Sequence, residues 1–210
     1  MQRALSTSNS PDVLAEIYNP ANNIVVWQRE LDLAIESSIE RLLADRQTLN
    51  IEGIATPETD NEPLLKTLLG YDYSRVLVDT VNDLVNMFCY LFDLERAGLR
   101  LATLDRAMCP RFHTDKVPCR LVTTFRGVAT EWLAHEVVDR SKLGPGNGGL
   151  PDDQSGLYRT PADINQLTKG DVALLKGELW EGNENAGIVH RSPEVTNGGT
   201  RLLLTLDFVA

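Results

Sequence analysis

The hydrophobic period of this chain changes once, near Gly98, and that change limits the folds open to it. Before Gly98, Leu77, Val78, Val81, Leu84, Val85, Phe88, Leu91 and Phe92 recur at helical spacing, with Asp79, Asn82, Asp83 and Asn86 on the opposite face. This spacing predicts a long amphipathic helix over residues 73–97, stopped at Gly98. After Gly98 the pattern turns to period two. Residues 99–104, 112–115, 120–126, 130–133, 172–176, 187–190 and 201–208 each read as a short strand between turn-forming residues. Many short strands in succession predict a sandwich or barrel, with the helices packed against one side of it.

The remaining segments are plainer. Residues 1–10 read as a frayed lead-in. Ile24-Val25-Val26-Trp27 is β-branched and aromatic and reads as a strand. Residues 29–47 place Leu31, Ile35, Ile39, Leu42 and Leu43 at helical spacing. Residues 53–63 read as an exposed loop and 64–69 as a short helix. Residues 142–160, rich in Gly, Pro, Asn and Asp, read as a mobile insertion able to act as a lid. The chain thus divides into a mostly helical part, residues 1–98, and a strand-rich part, residues 99–210. At 210 residues the two are expected to form one compact domain.

Composition excludes several classes. Twenty Lys and Arg against thirty Asp and Glu give a formal net charge of −10, opposite to the basic surface that nucleic acids or anionic membranes require. No apolar run reaches the ~18 residues of a membrane span. Three unpatterned cysteines and an N-terminus without an apolar signal core predict reduced thiols and a cytoplasmic location. Among catalytic patterns, no phosphate-binding loop, Gly-x-Gly-x-x-Gly or Gly-x-Ser-x-Gly is present.

The polar chemistry concentrates in two places. His113 and Asp115 are two residues apart in Arg111-Phe112-His113-Thr114-Asp115, so on a strand both side chains leave the same face. His190 follows much later, in Val189-His190-Arg191-Ser192-Pro193. Two imidazoles and one carboxylate on one side of a metal leave positions open for substrate and oxygen, the ligand pattern of non-haem Fe(II) oxygenases. The same donors also accept zinc. Taken singly, His113-x-Asp115 is compatible with a polar surface strand and His190 with a hydrogen-bonded structural histidine. Cys109 and Cys119 bracket the pair and read as buried free thiols, as does Cys89 on the long helix.

Lys169-Gly170-Asp171 turning into an apolar strand, the His190 segment, a turn through Asn197-Gly198-Gly199 and the strand from Arg201 complete a longer pattern. With these flanks, residues 99–208 resemble the Fe(II)/2-oxoglutarate-dependent oxygenase superfamily. The resemblance implies a double-stranded β-helix, a cupin-like jelly roll, within an α+β chain whose N-terminal helical layer packs on the sheet. It implies His113, Asp115 and His190 as the metal ligands and Arg201 as the residue that holds the 2-oxoglutarate carboxylate. Thr205 lies on the same strand face as Arg201, and Arg120 can line the cavity beside them. Many members place a Ser or Thr two residues after the arginine, where this chain has Leu203. The alternative role for Arg201 is a pair with an acid at the barrel rim; for Arg120 it is a solvent-facing or ion-paired side chain.

Cys109 to Asp115, Arg120-Leu121, Gly127 to Leu133 and His190 to Pro193 also resemble, over nearly the whole chain, a bacterial family known only as a domain of unknown function. That second resemblance implies a link to zinc limitation and gives no reaction. The functional expectation is therefore an Fe(II)/2-oxoglutarate oxygenase acting on an unidentified substrate. The alternatives are a non-catalytic zinc-binding protein on the same fold and a protein-interaction domain with a vestigial site.

Overall fold

The structure, a computed structural model, describes residues 3–45, 48–59, 61–196 and 199–209. It is a mixed α+β chain of ten strands and three α-helices among the described residues. In chain order these are β1 (Ala4–Ser8), β2 (Asn22–Trp27), α1 (Leu33–Asp45), β3 (Asn50–Ala55), α2 (Glu62–Leu69), α3 (Arg75–Phe92), β4 (Ala97–Leu104), β5 (Cys119–Arg126), β6 (Glu131–Leu133), β7 (Ile164–Gln166), β8 (Val172–Lys176), β9 (Val189–Arg191) and β10 (Arg201–Phe208).

Seven strands form one sheet in the order β1-β2-β8-β5-β10-β4-β3, and three form a second in the order β7-β6-β9. Every pairing is antiparallel except β1 with β2. The alternation along β10 explains how the layers stack. Leu202, Leu204 and Leu206 join Leu99, Leu101, Leu121 and Leu174 in the core beneath the helices, which α3 closes with Leu77, Val81, Leu84 and Phe88. Leu203 points the other way, into a smaller core with Val122, Leu175, Trp132 and Ile188, and this core joins the large sheet to the small one. The period-two signal thus translates directly into a sheet buried on both faces, with polar residues of the inner face free to build a site.

Several expectations are corrected. The long helix ends at Phe92 rather than at Gly98: Asp93 takes the left-handed conformation at φ 52°, and its N–H bonds back to Cys89 O and Tyr90 O. Gly98 lies inside β4 instead. Residues 4–8 are not frayed but pair as the parallel edge strand β1, while Met1 and Gln2 lie outside the described residues. The expected loop from residue 53 begins inside β3. Residues 112–115 form no strand; only His113 bridges to His190. Cys89 and Cys119 are buried but Cys109 is exposed.

Residues 142–160 are anchored rather than free. Leu157 and Tyr158 are buried with Phe112, Leu133 and Val189, and the Asp152 carboxylate, also buried, accepts the Phe112 N–H at 2.8 Å. The expected helical residues 46–47 and the turn at Asn197 and Gly198 lie outside the described residues.

Candidate metal centre

His113 and His190 face each other across a reciprocal pair of backbone hydrogen bonds, His113 N to His190 O and His190 N to His113 O, both 3.0 Å. Residues so paired project their side chains to one side of the ladder, and the two imidazole centroids lie 4.6 Å apart. Asp115 reaches the same point from two residues on. Its Oδ1 is 3.6 Å from His113 Nε2 and its Oδ2 is 3.4 Å from His190 Nε2. One ligand atom from each of the three residues falls within 4.8 Å of the others. Ligands held at about 2.0–2.2 Å from a common metal stand about 3 Å apart, so small movements of these side chains close the site.

Both histidines are oriented for this task. His113 Nδ1 lies 2.9 Å from Arg111 O and His190 Nδ1 lies 3.3 Å from Ile188 O. A carbonyl only accepts, so each Nδ1 carries a proton, and each Nε2, which faces Asp115, is the nitrogen left to present a lone pair once its own proton is lost to a metal. Asp115 is placed by the end of β8, where Glu178 N donates to Asp115 O and Gly177 N to Pro118 O. Gly177 permits that approach, since a Cβ there would lie 2.1 Å from Val117 O.

The electrostatics favour an ionised carboxylate. Burial pushes the Asp115 carboxyl up, but the hydrogen bonds from His113 and His190, with the charges of His190 and Arg120, hold it well below the usual range. The His113 imidazole is pushed up, chiefly by its bond to Asp115 and against the effect of burial. Arg120 donates from Nη1 to Asp115 Oδ2 at 2.7 Å, and from Nε and Nη2 to the two oxygens of Asp207 at 2.7 and 3.0 Å. Of the two readings open for Arg120, ion pairing is the one present; it also lines a cavity beside Thr205.

Arg201 sits at the start of β10 and is 1 % exposed. It donates to three hydroxyls: Nη1 to Ser192 Oγ at 3.2 Å, and Nη2 to Thr124 Oγ1 at 3.2 Å and Thr130 Oγ1 at 2.7 Å. Its Nε is buried without an acceptor. No acid among the described residues pairs with it, so the rim ion pair is not formed. Burial alone lowers its pKa to about 10. Ser192 is two residues past His190, so this bare guanidinium lies against the segment that carries a metal ligand. Thr205, four residues along β10, does not bond to it; the hydroxyls come instead from Thr124, Thr130 and Ser192.

Those three residues, with Asp207 and Asp152, were not singled out from the sequence. Thr124 and Asp207 had a signal: Thr124 shares parity with Arg120 on β5, and Asp207 with Arg201 on β10. Ser192, Thr130 and Asp152 had none, because loops place them.

The fold and this trio define a class: a mixed α+β, two-sheet protein with a histidine–carboxylate cluster suited to a divalent metal. Its fold is shared with solved structures. A rice dioxygenase for auxin oxidation aligns with 100 % of this chain and 83 % of its own, at 8 % identity and a TM-score of 0.54. Neurospora crassa T7H, solved with alpha-KG and 5-formyluracil, aligns with 98 % of this chain and 83 % of its own, at 10 % identity and 0.53. At such identities the likeness concerns the fold alone. By sequence, the chain belongs to the family described as "Protein of unknown function (DUF1826)", which it matches over residues 8–207. No curated protein matches its sequence.

Proposed function

We propose that this chain is a non-haem Fe(II)- and 2-oxoglutarate-dependent oxygenase on a double-stranded β-helix. The observation that carries this reading is the pairing of two groups that fit two different ligands. His113 Nε2, Asp115 and His190 Nε2 converge as a three-ligand set, and beside them Arg201 is buried with an unsatisfied Nε and no counter-ion among the described residues. A buried guanidinium without a carboxylate is costly, and its fork matches a carboxylate.

In this reading His113, Asp115 and His190 hold iron, and Arg201 holds the far carboxylate of 2-oxoglutarate, with Thr124, Thr130 and Ser192 fixing its orientation. When bound, iron and 2-oxoglutarate supply oxygen activation, in which one oxygen atom goes to the substrate and the other to succinate as CO2 leaves. The chain's own contribution is placement. Arg120 keeps Asp115 ionised and aimed, the Nδ1–carbonyl bonds fix both imidazole tautomers, and the Phe112, Leu133 and Val189 cluster shields one side from water.

The donor set accepts zinc as well, and the zinc-limitation link implied by the family resemblance makes a non-catalytic zinc protein the competing outcome. A cytoplasmic setting belongs to the same proposal, and among the described residues no helix is long and apolar enough to cross a membrane.

The test is anaerobic purification, elemental analysis, and titration of the Fe(II) form with 2-oxoglutarate while following its visible charge-transfer band. One equivalent of iron, a saturable band, and succinate formation on exposure to oxygen are expected. One tightly held zinc with no band after iron reconstitution refutes the oxygenase. Unchanged metal content in His113→Ala and His190→Ala refutes the site.

A further inference from the structure

A cavity of about 400 Å³ opens beside β3, β4 and β10, within the roughly 300–1,000 Å³ usual for small-molecule sites. Arg120 connects it to the metal centre, because the guanidinium that lines the cavity is the one that donates to Asp115. Asp207, also in the wall, is already neutralised by Arg120. Arg100 is not so provided for. It projects from β4 directly opposite Thr205 of β10, and no carboxylate among the described residues is in ion-pair contact with it. Its Nη1 meets only the Met108 thioether, at 2.8 Å, and its Nε is buried without an acceptor. A thioether is a weak acceptor, and a buried N–H left unpaired costs free energy that a ligand oxygen would recover. Glu52, its partner across β3, is exposed and forms no ion pair with it.

We propose that this cavity is the substrate site, and that the substrate is a small molecule bearing a carboxylate, which Arg100 holds with the Thr205 hydroxyl alongside. The rest of the molecule then extends past Arg120 toward Asp115. Calling the ligand a substrate rests on the oxygenase reading; carboxylate binding by Arg100 does not.

The experiment uses ligand-observed NMR on the metal-loaded full chain with N-oxalylglycine saturating, so that Arg201 is already occupied. The probes are butyrate, phenylacetate and N-acetylglycine, each beside its neutral amide. At least one acid is expected to bind five-fold or more tighter than its amide. Arg100→Gln abolishes that preference and Arg100→Lys retains part of it, with melting curves confirming that both variants fold. Acids binding no tighter than amides, or a preference that survives in Arg100→Gln, overturns the proposal. The same samples are titrated with 2-oxoglutarate. If the wild type binds neither iron nor 2-oxoglutarate while the Arg100-dependent preference persists in the metal-free protein, the oxygenase reading fails and the carboxylate site stands.

Discussion

Arg120 and Asp115 are joined at 2.7 Å, and the same guanidinium grips Asp207 through two further bonds, so one cation serves two carboxylates on the inner face of the large sheet. Burial would weaken the Arg120 charge, but the bond to Asp207 and the charges of Asp115 and Asp207 raise its pKa. Arg120→Gln therefore leaves two carboxylates facing each other without a cation. The guanidinium side chain is 26 % exposed, so the cost falls below that of a fully buried pair, about 2–3 kcal/mol by denaturant melts. Metal affinity is expected to fall by about 10–100-fold, as when an outer partner of a ligand is lost. Arg120→Lys can reach one carboxylate but not both, and falls between. Wild-type metal affinity in Arg120→Gln would show that Asp115 is positioned without it.

Arg201 gives an unusual expectation. Its burial with no acid partner among the described residues means that removing the charge relieves a cost of desolvation in the free protein. Arg201→Met is expected to melt no lower than the wild type without ligand. The rise in melting temperature that saturating 2-oxoglutarate gives the wild-type iron form should vanish in this variant. Thermal scans of both proteins, with and without 2-oxoglutarate, check both halves. A variant that is destabilised and still shifts with 2-oxoglutarate contradicts the role assigned to Arg201.

His113 and Asp115 also set a pH dependence. The bond to Asp115 raises the His113 pKa above its ordinary 6.5, so its contribution to metal-free stability is complete below 6.5 and is lost as pH rises through the folded value. The depressed Asp115 contributes above its ordinary 3.8 and loses that contribution as pH falls. The metal-free His113–Asp115 pair thus stabilises the fold most in mildly acidic solution, between those two values. A metal needs the neutral imidazole. Apparent affinity for Zn(II) or Fe(II) should therefore climb with pH until His113 has lost its proton, and binding at pH 6 should release a proton. Calorimetry in two buffers of different ionisation enthalpy measures this release; none at pH 6 refutes the assignment.

How far the sequence could be read follows from the range over which each feature is determined. The alternation in β10 is local: Leu202, Leu204 and Leu206 enter one core and Leu203 the other, as a period-two strand requires. The pairing of His113 with Asp115 was legible from their two-residue spacing, although His113 sits on an isolated bridge instead of a strand, whereas His190 joined them only through the family resemblance. β1 was hidden because Ala4-Leu5-Ser6-Thr7-Ser8 lacks alternation and owes its extended form to pairing with β2. The end of α3 was misplaced because Asp93 adopts the left-handed turn more often taken by glycine. The Arg120 pair with Asp207 spans 87 residues, and no local pattern announces it.

Residues 142–160 were hardest to read, and they yield the last prediction. Their composition suggests a mobile lid, yet Asp152 ties them to the segments on either side of the metal ligands. Its carboxylate accepts the N–H of Phe112, the residue before His113, and pairs with Arg111 Nε at 2.9 Å. It also lies 3.7 Å from Nη1 of Arg191, the residue after His190, whose guanidinium covers the Phe112 ring. Asp152 thus couples the order of this segment to the spacing of the two histidines. Asp152→Ala leaves the buried Phe112 N–H unpaired and half-exposed Arg111 without its acid, while Arg191 keeps Glu131 at 2.6 Å, a loss of about 1–3 kcal/mol. Limited proteolysis should then cut within residues 142–160, where the wild type resists, and metal affinity should fall although no ligand has changed. Asp152→Asn retains one acceptor for the Phe112 N–H and should recover part of the protease resistance. If Asp152→Ala resists cleavage as the wild type does and binds metal equally well, the segment is held by Leu157 and Tyr158 alone and the coupling does not exist.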